Sequence, residues 1–249
     1  MKNNRIKFLN CPIDNLSMQE TLSVIDDAIA NSKSLQHIVV NAAKLVNMQK
    51  DKQLYRSVVS NDIINADGQA VVWASRFLGQ PLPERVAGID LMQNLVKLAY
   101  EKGYKIFFFG AKEDIVKKVV EIYSNKYSPD IIAGYRNGYF DKEEERDIAK
   151  QISDSGANIL FVAISSPTKE NFLSQNSGFL KQVDFTMGVG GSFDVVAGKV
   201  KRAPVWMQKA GLEWFYRFLQ EPGRMWKRYL VTNTLFIWYV LKEKYRGKK

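Results

Sequence analysis

The residues able to do chemistry in this chain are few, and their spacing is restrictive. One histidine (His37) and one cysteine (Cys11) in 249 residues leave no Cys/His cluster of the kind zinc sites need and no internal disulfide. No two aspartates stand two apart, so no Asp-X-Asp pair holds a metal against a nucleotide diphosphate; a diphosphate here must be met by Arg or Lys. Asp67, ending the run DIINAD before Gly68, is either a base at a strand end or the N-cap of the following helix. Arg85, in LPERVAGIDL, either grips a phosphate with its planar fork or pairs with Glu84 or Asp90. The run GVGGSFD, Gly188 to Asp194, offers backbone N–H groups to a phosphate or is a plain turn after a strand. It lacks the GxGxxG spacing and closes the patterned region where a dinucleotide fingerprint would open it, which disfavours a nicotinamide oxidoreductase.

These residues need a scaffold, and the pattern supplies one. β-rich runs at His37–Asn41, Asp62–Ala66, Lys105–Phe109, Asp130–Ala133, Asn158–Ile164 and Asp184–Gly188 are mostly continuous and apolar, as strands covered on both faces should be. Amphipathic stretches at Ser17–Asn31, Ala42–Ser60, Asp90–Lys102, Asp114–Tyr127 and Lys142–Ser155 alternate with them. Ser17 with Glu20, and Asp141 with Glu144, have capping-box spacing. Alternation predicts an α/β fold, a Rossmann-like, largely parallel sheet flanked by helices. Ligands of such sheets sit beyond the carboxyl ends of the strands. That edge holds Asn41, Asp67-Gly68, Gly110-Ala111, Ser165-Ser166-Pro167 and Gly188–Gly191.

The charge is segregated. Of 36 basic and 26 acidic residues, a net +10, residues 198–249 hold 13 basic and three acidic, so the whole excess lies there. Four of five tryptophans (Trp206, Trp214, Trp226 and Trp238) lie there too. The expected division is therefore an α/β domain over 1–197 and a basic, aromatic helical appendage over 198–249. One helix is expected from Pro204 to about Leu219 and a second from about Pro222 to Lys244. Tyr229–Leu241 is only 13 residues, short of the roughly 20 that span a bilayer. Trp, Tyr, Lys and Arg around it fit a helix lying in the headgroup region of an anionic membrane; packing on the body or self-association off the membrane is the other reading. No RNP-type or helix-turn-helix pattern points to nucleic acid. The N-terminus lacks the apolar core of a secretory signal, so a cytoplasmic protein is expected.

Several ordered segments, NAAKLVNMQKD, INADGQAVVWASRFLGQPLPERVAGIDL, FFFGAKE, GYF, FVAISSPTKENF, MGVGGSFDVVAGKVKRAPVW and GLEWFYRFLQEPGRMWKRY, together resemble the WecG/TagA/CpsF family of bacterial glycosyltransferases. The resemblance implies an inverting, metal-independent transfer without cofactor. The donor would be a UDP-sugar, typically of N-acetylmannosamine or its uronic acid, and the acceptor a polyprenyl-diphosphate-linked sugar. Cell-surface polysaccharide or teichoic-acid-type synthesis follows, with the enzyme peripheral at the inner face of the cell membrane and the appendage completing the site.

The same resemblance makes Asp67 the catalytic base and Asn41 an orienting residue. It places Arg85 near the phosphates, with Arg217, Arg224 and Lys227 or Arg228 reaching the site from the tail. Gly110, Gly188, Gly190, Gly191 and Asp194 are the expected nucleotide-binding positions, and the four tail tryptophans the membrane-binding ones. Two positions depart from the family pattern: its T-x-N reads Val39-Val40-Asn41, and its P-x-Q-E reads Pro167-Thr168-Lys169-Glu170. Lys169 and Glu170 are expected to touch substrate, and the exchange opens the way to a charged donor or another hexose. The rival reading is a non-enzymatic basic module for lipid or RNA on an α/β scaffold.

Overall fold

The structure is a computed structural model that describes residues 4–166 and 168–246, with the side chains of Arg224, Met225, Lys227, Arg228 and Arg246 outside the described residues. The chain runs β1 (Arg5–Phe8), β2 (Cys11–Asp14), α1 (Met18–Ala30), β3 (Leu35–Val40), α2 (Ala42–Met48), α3 (Lys52–Val59), β4 (Ile63–Ala66) and α4 (Gln69–Phe77). It continues through α5 (Gly88–Lys102), β5 (Ile106–Gly110), α6 (Glu113–Lys126), β6 (Ile132–Arg136), α7 (Glu145–Asp154), β7 (Ile159–Ala163), α8 (Thr168–Gln175), α9 (Ser177–Leu180), β8 (Phe185–Gly188) and α10 (Ser192–Val196). The last helices are α11 (Val205–Lys209), α12 (Glu213–Gln220) and α13 (Pro222–Arg246).

Six strands form one sheet in the order β4-β3-β8-β7-β5-β6, and β1 and β2 form a separate antiparallel pair. From β3 to β6 the pairings are parallel. The α/β fold expected from the alternation is therefore present. Contacts divide the chain into two compact units: Met1–Met18, Val39–Ala87 and Lys201–Lys249 in one, Gln19–Ile38 and Gly88–Val200 in the other.

In the second unit, every residue of β5 (IFFFG) and of β7 (ILFVA) is buried, which requires cover on both faces and so a parallel, helix-flanked arrangement. Phe108 meets Phe161 and Phe193 on one side, at 5.8 Å between centroids. Phe109, pointing the other way as strand alternation demands, meets Phe172 at 4.9 Å. Asp141 opens the Lys142–Glu144 turn before α7, its N–H donating to Glu144 Oε2 at 2.8 Å, as the spacing predicts.

In the first unit, the stretch expected as one helix over Ala42–Ser60 is two. Asp51 ends the first and caps the second, accepting from the N–H groups of Gln53 and Leu54 at 2.9 Å. Similarly, the helix expected from Pro204 to Leu219 breaks into α11 and α12 at Gly211, whose φ of +71° suits the end of a helix. α13 keeps one face inside: Thr232, Phe236 and Val240, each four residues from the next, are buried. Phe236 packs on Phe8 of the β1-β2 hairpin.

The hairpin turn, with Leu9 and Asn10 both at positive φ, is clamped from two helices. Leu9 N–H donates to Glu243 Oε2 at 3.1 Å, and Gln49 Nε2 donates to Leu9 O at 2.9 Å. Asp14, wholly buried, ties the hairpin to β4 by accepting from Arg5 Nε at 2.9 Å and Ile64 N–H at 2.7 Å.

Burial lifts the Glu243 carboxyl above its ordinary range, against the opposing pull of the Leu9 N–H and of Lys7. A carboxyl raised in the fold contributes stability at low pH and loses it as pH climbs through the raised value. Glu243→Gln keeps an acceptor for Leu9 and removes the charge. It should unfold at the same temperature as the unaltered protein or higher at pH 7.5, with the gap closing below about pH 4. Glu243→Ala should lose about 1–2 kcal/mol. Thermal unfolding at the two pH values measures both.

Candidate active site

The carboxyl edge of β4 is built by backbone pairing before any side chain is considered. Asp67 N–H donates to Val40 O, and Val86 N–H donates to Ala66 O, both at 2.9 Å. The ends of β3 and β4 and the 85–87 segment are thus laced together, with Asn41, Asp67 and Arg85 each one residue from a laced position. Gly68 takes the N-cap position of α4, with Asp67 just before it. A Cβ on Gly68 would lie 3.4 Å from Asn41 Cβ, which places Asn41 directly against the Asp67-Gly68 turn. Asn41 is itself an N-cap: its Oδ1 accepts from Lys44 N–H at 3.0 Å, which fixes the amide plane. Lys44 Nζ reaches back to Val39 O at 2.9 Å.

The tail meets this edge. Gly211 lies so close to α4 that a Cβ there would fall 2.7 Å from Gln69 Cγ and 3.1 Å from Trp73 Cη2. Glu213, in the first turn of α12, sets Oε2 3.0 Å from Arg85 Nη1 and Oε1 3.3 Å from Arg202 Nε. These three side chains are 14–24% exposed, so their attraction is screened less than that of a surface pair. Arg217 lies one turn after Glu213 on α12 and is exposed. The side chains of Arg224, Lys227 and Arg228, expected to reach the site, lie outside the described residues.

The second unit carries the other expected positions on its own carboxyl edge. Gly110 has φ +129°, and a Cβ would strike the carbonyl of Ala163 at 2.5 Å, so only glycine fits. Gly138 N–H donates to Ala111 O at 2.9 Å, and beside it opens a concavity of about 440 Å³ lined by Gly138, Tyr139, Phe140, Asp141, Glu144 and Thr168. Lys169 is 8% exposed, with its Nζ 3.0 Å from where a Gly188 Cβ would be. It pairs with Glu170 at 3.3 Å. Burial is the largest single influence on the Glu170 carboxyl and pushes it up, but the Lys169 ammonium, together with hydrogen bonds from the Glu170 backbone, Ser166 and Lys169, outweighs it and the net direction is down. Gly190, at φ +53°, and Gly191 face open space. Asp194 pairs with Lys199 at 3.6 Å, and its carbonyl takes the N–H groups of Lys199 and Val200.

Sequence reasoning passed over Glu213 and Arg202. A signal was present, since Glu213 is one of only three acids among residues 198–249. An isolated acid in a basic segment marks a place where a cation has to be met.

The profile of the Glycosyl transferase WecG/TagA/CpsF family matches residues 6–249. The chain belongs to this family. As a family member it is a glycosyltransferase, and it is similar to three relatives that carry the name N-acetylglucosaminyldiphosphoundecaprenol N-acetyl-beta-D-mannosaminyltransferase. The relative from Bacillus subtilis (strain 168) is 40% identical over 80% of this chain and 76% of its own length. That from Bacillus spizizenii (strain ATCC 23059 / NRRL B-14472 / W23) is 38% identical over 78% and 74%. One from Staphylococcus aureus (strain MW2) is 32% identical over 98% and 95%.

Since Glu170 titrates below its usual range, its contribution to stability is complete above the ordinary value of 4.5 and fades as pH falls through the lowered one. Lys169→Met would strand a buried carboxylate, so the destabilisation should reach about 2–4 kcal/mol at pH 7 and shrink toward pH 4. Urea unfolding at the two pH values tests this.

Proposed function

We propose that this glycosyltransferase moves N-acetylmannosamine from its UDP-sugar to N-acetylglucosaminyl-diphosphoundecaprenol, in the synthesis of a teichoic-acid-type or related cell-surface polymer. The observation that carries the reading is the 32–40% identity to enzymes of that name in a chain whose β4 edge holds Asp67, Asn41 and Arg85 together. Making a β-linked product from an α-linked UDP donor inverts the anomeric carbon, and a single displacement with one base does this.

In this mechanism the Asp67 carboxylate takes the proton of the acceptor hydroxyl as its oxygen attacks the anomeric carbon. The bond to the UDP oxygen breaks on the opposite face, and the electron pair leaves with the diphosphate. Asn41, held by its cap bond, orients Asp67 or the acceptor. Arg85, with Arg217 and the basic positions Arg224, Lys227 and Arg228 of the tail, stabilises the departing diphosphate in place of a metal ion. Gly110, Gly188, Gly190, Gly191 and Asp194 are proposed to contact the nucleotide, and Lys169 and Glu170 the donor.

The acceptor is lipid-borne, and α11 to α13 suit a lipid surface. Among the described residues no helix is long and apolar enough to cross a membrane. Yet opposite its buried face α13 exposes Leu230, Val231, Ile237, Trp238 and Leu241, and Trp206, Trp214 and Trp226 are exposed as well. Lys242 lies 4.6 Å over the Trp238 ring. An aromatic, basic surface of this kind favours the headgroup region of anionic lipid.

Two measurements test the reading. Asp67→Asn should release no UDP above background from UDP-N-acetylmannosamine and a short-chain polyprenyl-diphosphate-linked N-acetylglucosamine, with EDTA present throughout, while binding UDP within about twofold of the unaltered enzyme. Unchanged turnover removes Asp67 from the role of base, and loss of wild-type turnover in EDTA removes metal independence. Replacing Trp206, Trp214, Trp226 and Trp238 by Ser should abolish sedimentation with vesicles containing phosphatidylglycerol at an unaltered melting temperature; retained sedimentation refutes the membrane assignment.

A further inference from the structure

We infer that Glu213 and Arg202 complete a diphosphate clamp with Arg85. Glu213 is its positioning residue and Arg202 its second anion-binding group. The inference rests on the reading of Asp67, Arg85 and a diphosphate leaving group given above, and adds to it two residues that reading does not use.

The geometry is that of one carboxylate with a guanidinium on each oxygen, at 3.0 Å for Arg85 and 3.3 Å for Arg202. Two guanidinium groups brought this close repel one another unless an anion lies between them. Glu213 supplies that anion from within the chain. Two planar forks gathered on one carboxylate can meet adjacent phosphate groups, which a lone Arg or a point-charge Lys cannot span.

The setting of Arg202 is rigid. Gln220 Nε2 donates to Lys201 O at 3.0 Å and Gln208 Nε2 donates to Ala203 O at 2.7 Å, so the backbone on both sides of Arg202 is pinned. Val86, next to Arg85, is pinned to Ala66, beside Asp67. The clamp is thereby held at the strand end that carries the base, and it exists only when α12 is docked.

A diphosphate occurs on both proposed substrates, so the test has two arms. Full-length enzyme and the variants Arg202→Gln and Glu213→Gln are titrated with UDP and UMP, and with farnesyl diphosphate and farnesyl monophosphate, alongside melting temperatures. The expected result is a preference for diphosphate over monophosphate that falls about tenfold in both variants in one series, while monophosphate affinity stays within about twofold. A fall in the UDP series assigns the clamp to the donor, and one in the farnesyl series to the carrier.

An unchanged ratio in both series overturns the inference, whatever happens to the melting temperature. A rise in diphosphate affinity in Glu213→Gln also overturns it, by making the carboxylate a competitor for the guanidinium groups. If Glu213→Gln does not fold, Arg202→Gln alone decides. Wild-type enzyme that binds none of the four ligands sinks the donor and carrier reading itself, and the clamp with it. Wild-type binding with unaltered ratios sinks only the clamp.

Discussion

The burial of one face of α13 is the constraint on which the first unit depends. Thr232, Phe236 and Val240 lie inside, and burying side chains such as these contributes on the order of 1.5–3 kcal/mol each for the larger ones. The polar ties that accompany it, Glu243 to Leu9 and Lys244 to the carbonyl of Phe77, are individually smaller and set register more than they add stability. With α13 seated, the short helices before it have little freedom. Gly211 then rests on Gln69 and Trp73, and Glu213 reaches the guanidinium group of Arg85. That ion pair thus inherits its geometry from an apolar contact.

The same helix reconciles two descriptions of the tail that look exclusive. Composition alone sets membrane association against packing on the body, because Trp, Tyr and Lys suit either. In the fold a helix has two sides. Phe236 and Val240 turn inward while Ile237, Trp238 and Leu241 turn outward, so packing is what fixes the exposed surface in one orientation. Thr232, polar as it is, lies on the inward side with Phe236 and Val240.

The central strands of the sheet were legible because burial on both faces leaves an unbroken apolar run, and each of the six expected runs overlaps an observed strand to within a few residues. The hairpin β1-β2 was not. Its four-residue strands, RIKF and CPID, are too short and too mixed for periodicity to register. Its turn places Leu9 and Asn10 at positive φ without a glycine to advertise it. Helix breaks at Asp51 and Gly211 were missed for a related reason: apolar spacing continued through them, and capping chemistry outweighed the pattern. At the site, Asp67, Asn41 and Arg85 could be found because a strand end is a position readable from local sequence. Glu213 could not, since its meaning lies in a partner 128 residues away.

The first unit is assembled from three separated stretches, Met1–Met18, Val39–Ala87 and Lys201–Lys249. Synthesis delivers Arg85 long before Glu213 and Phe236, so a growing chain carries the strand that ends in Asp67 without the helices that complete its surroundings. Contacts at such sequence distance are slow to form, and the apolar surface that α13 covers stays open to solvent until that helix has been made. A chain that has not yet placed α12 therefore lacks the ion pair at Arg85, whatever else of its fold has formed.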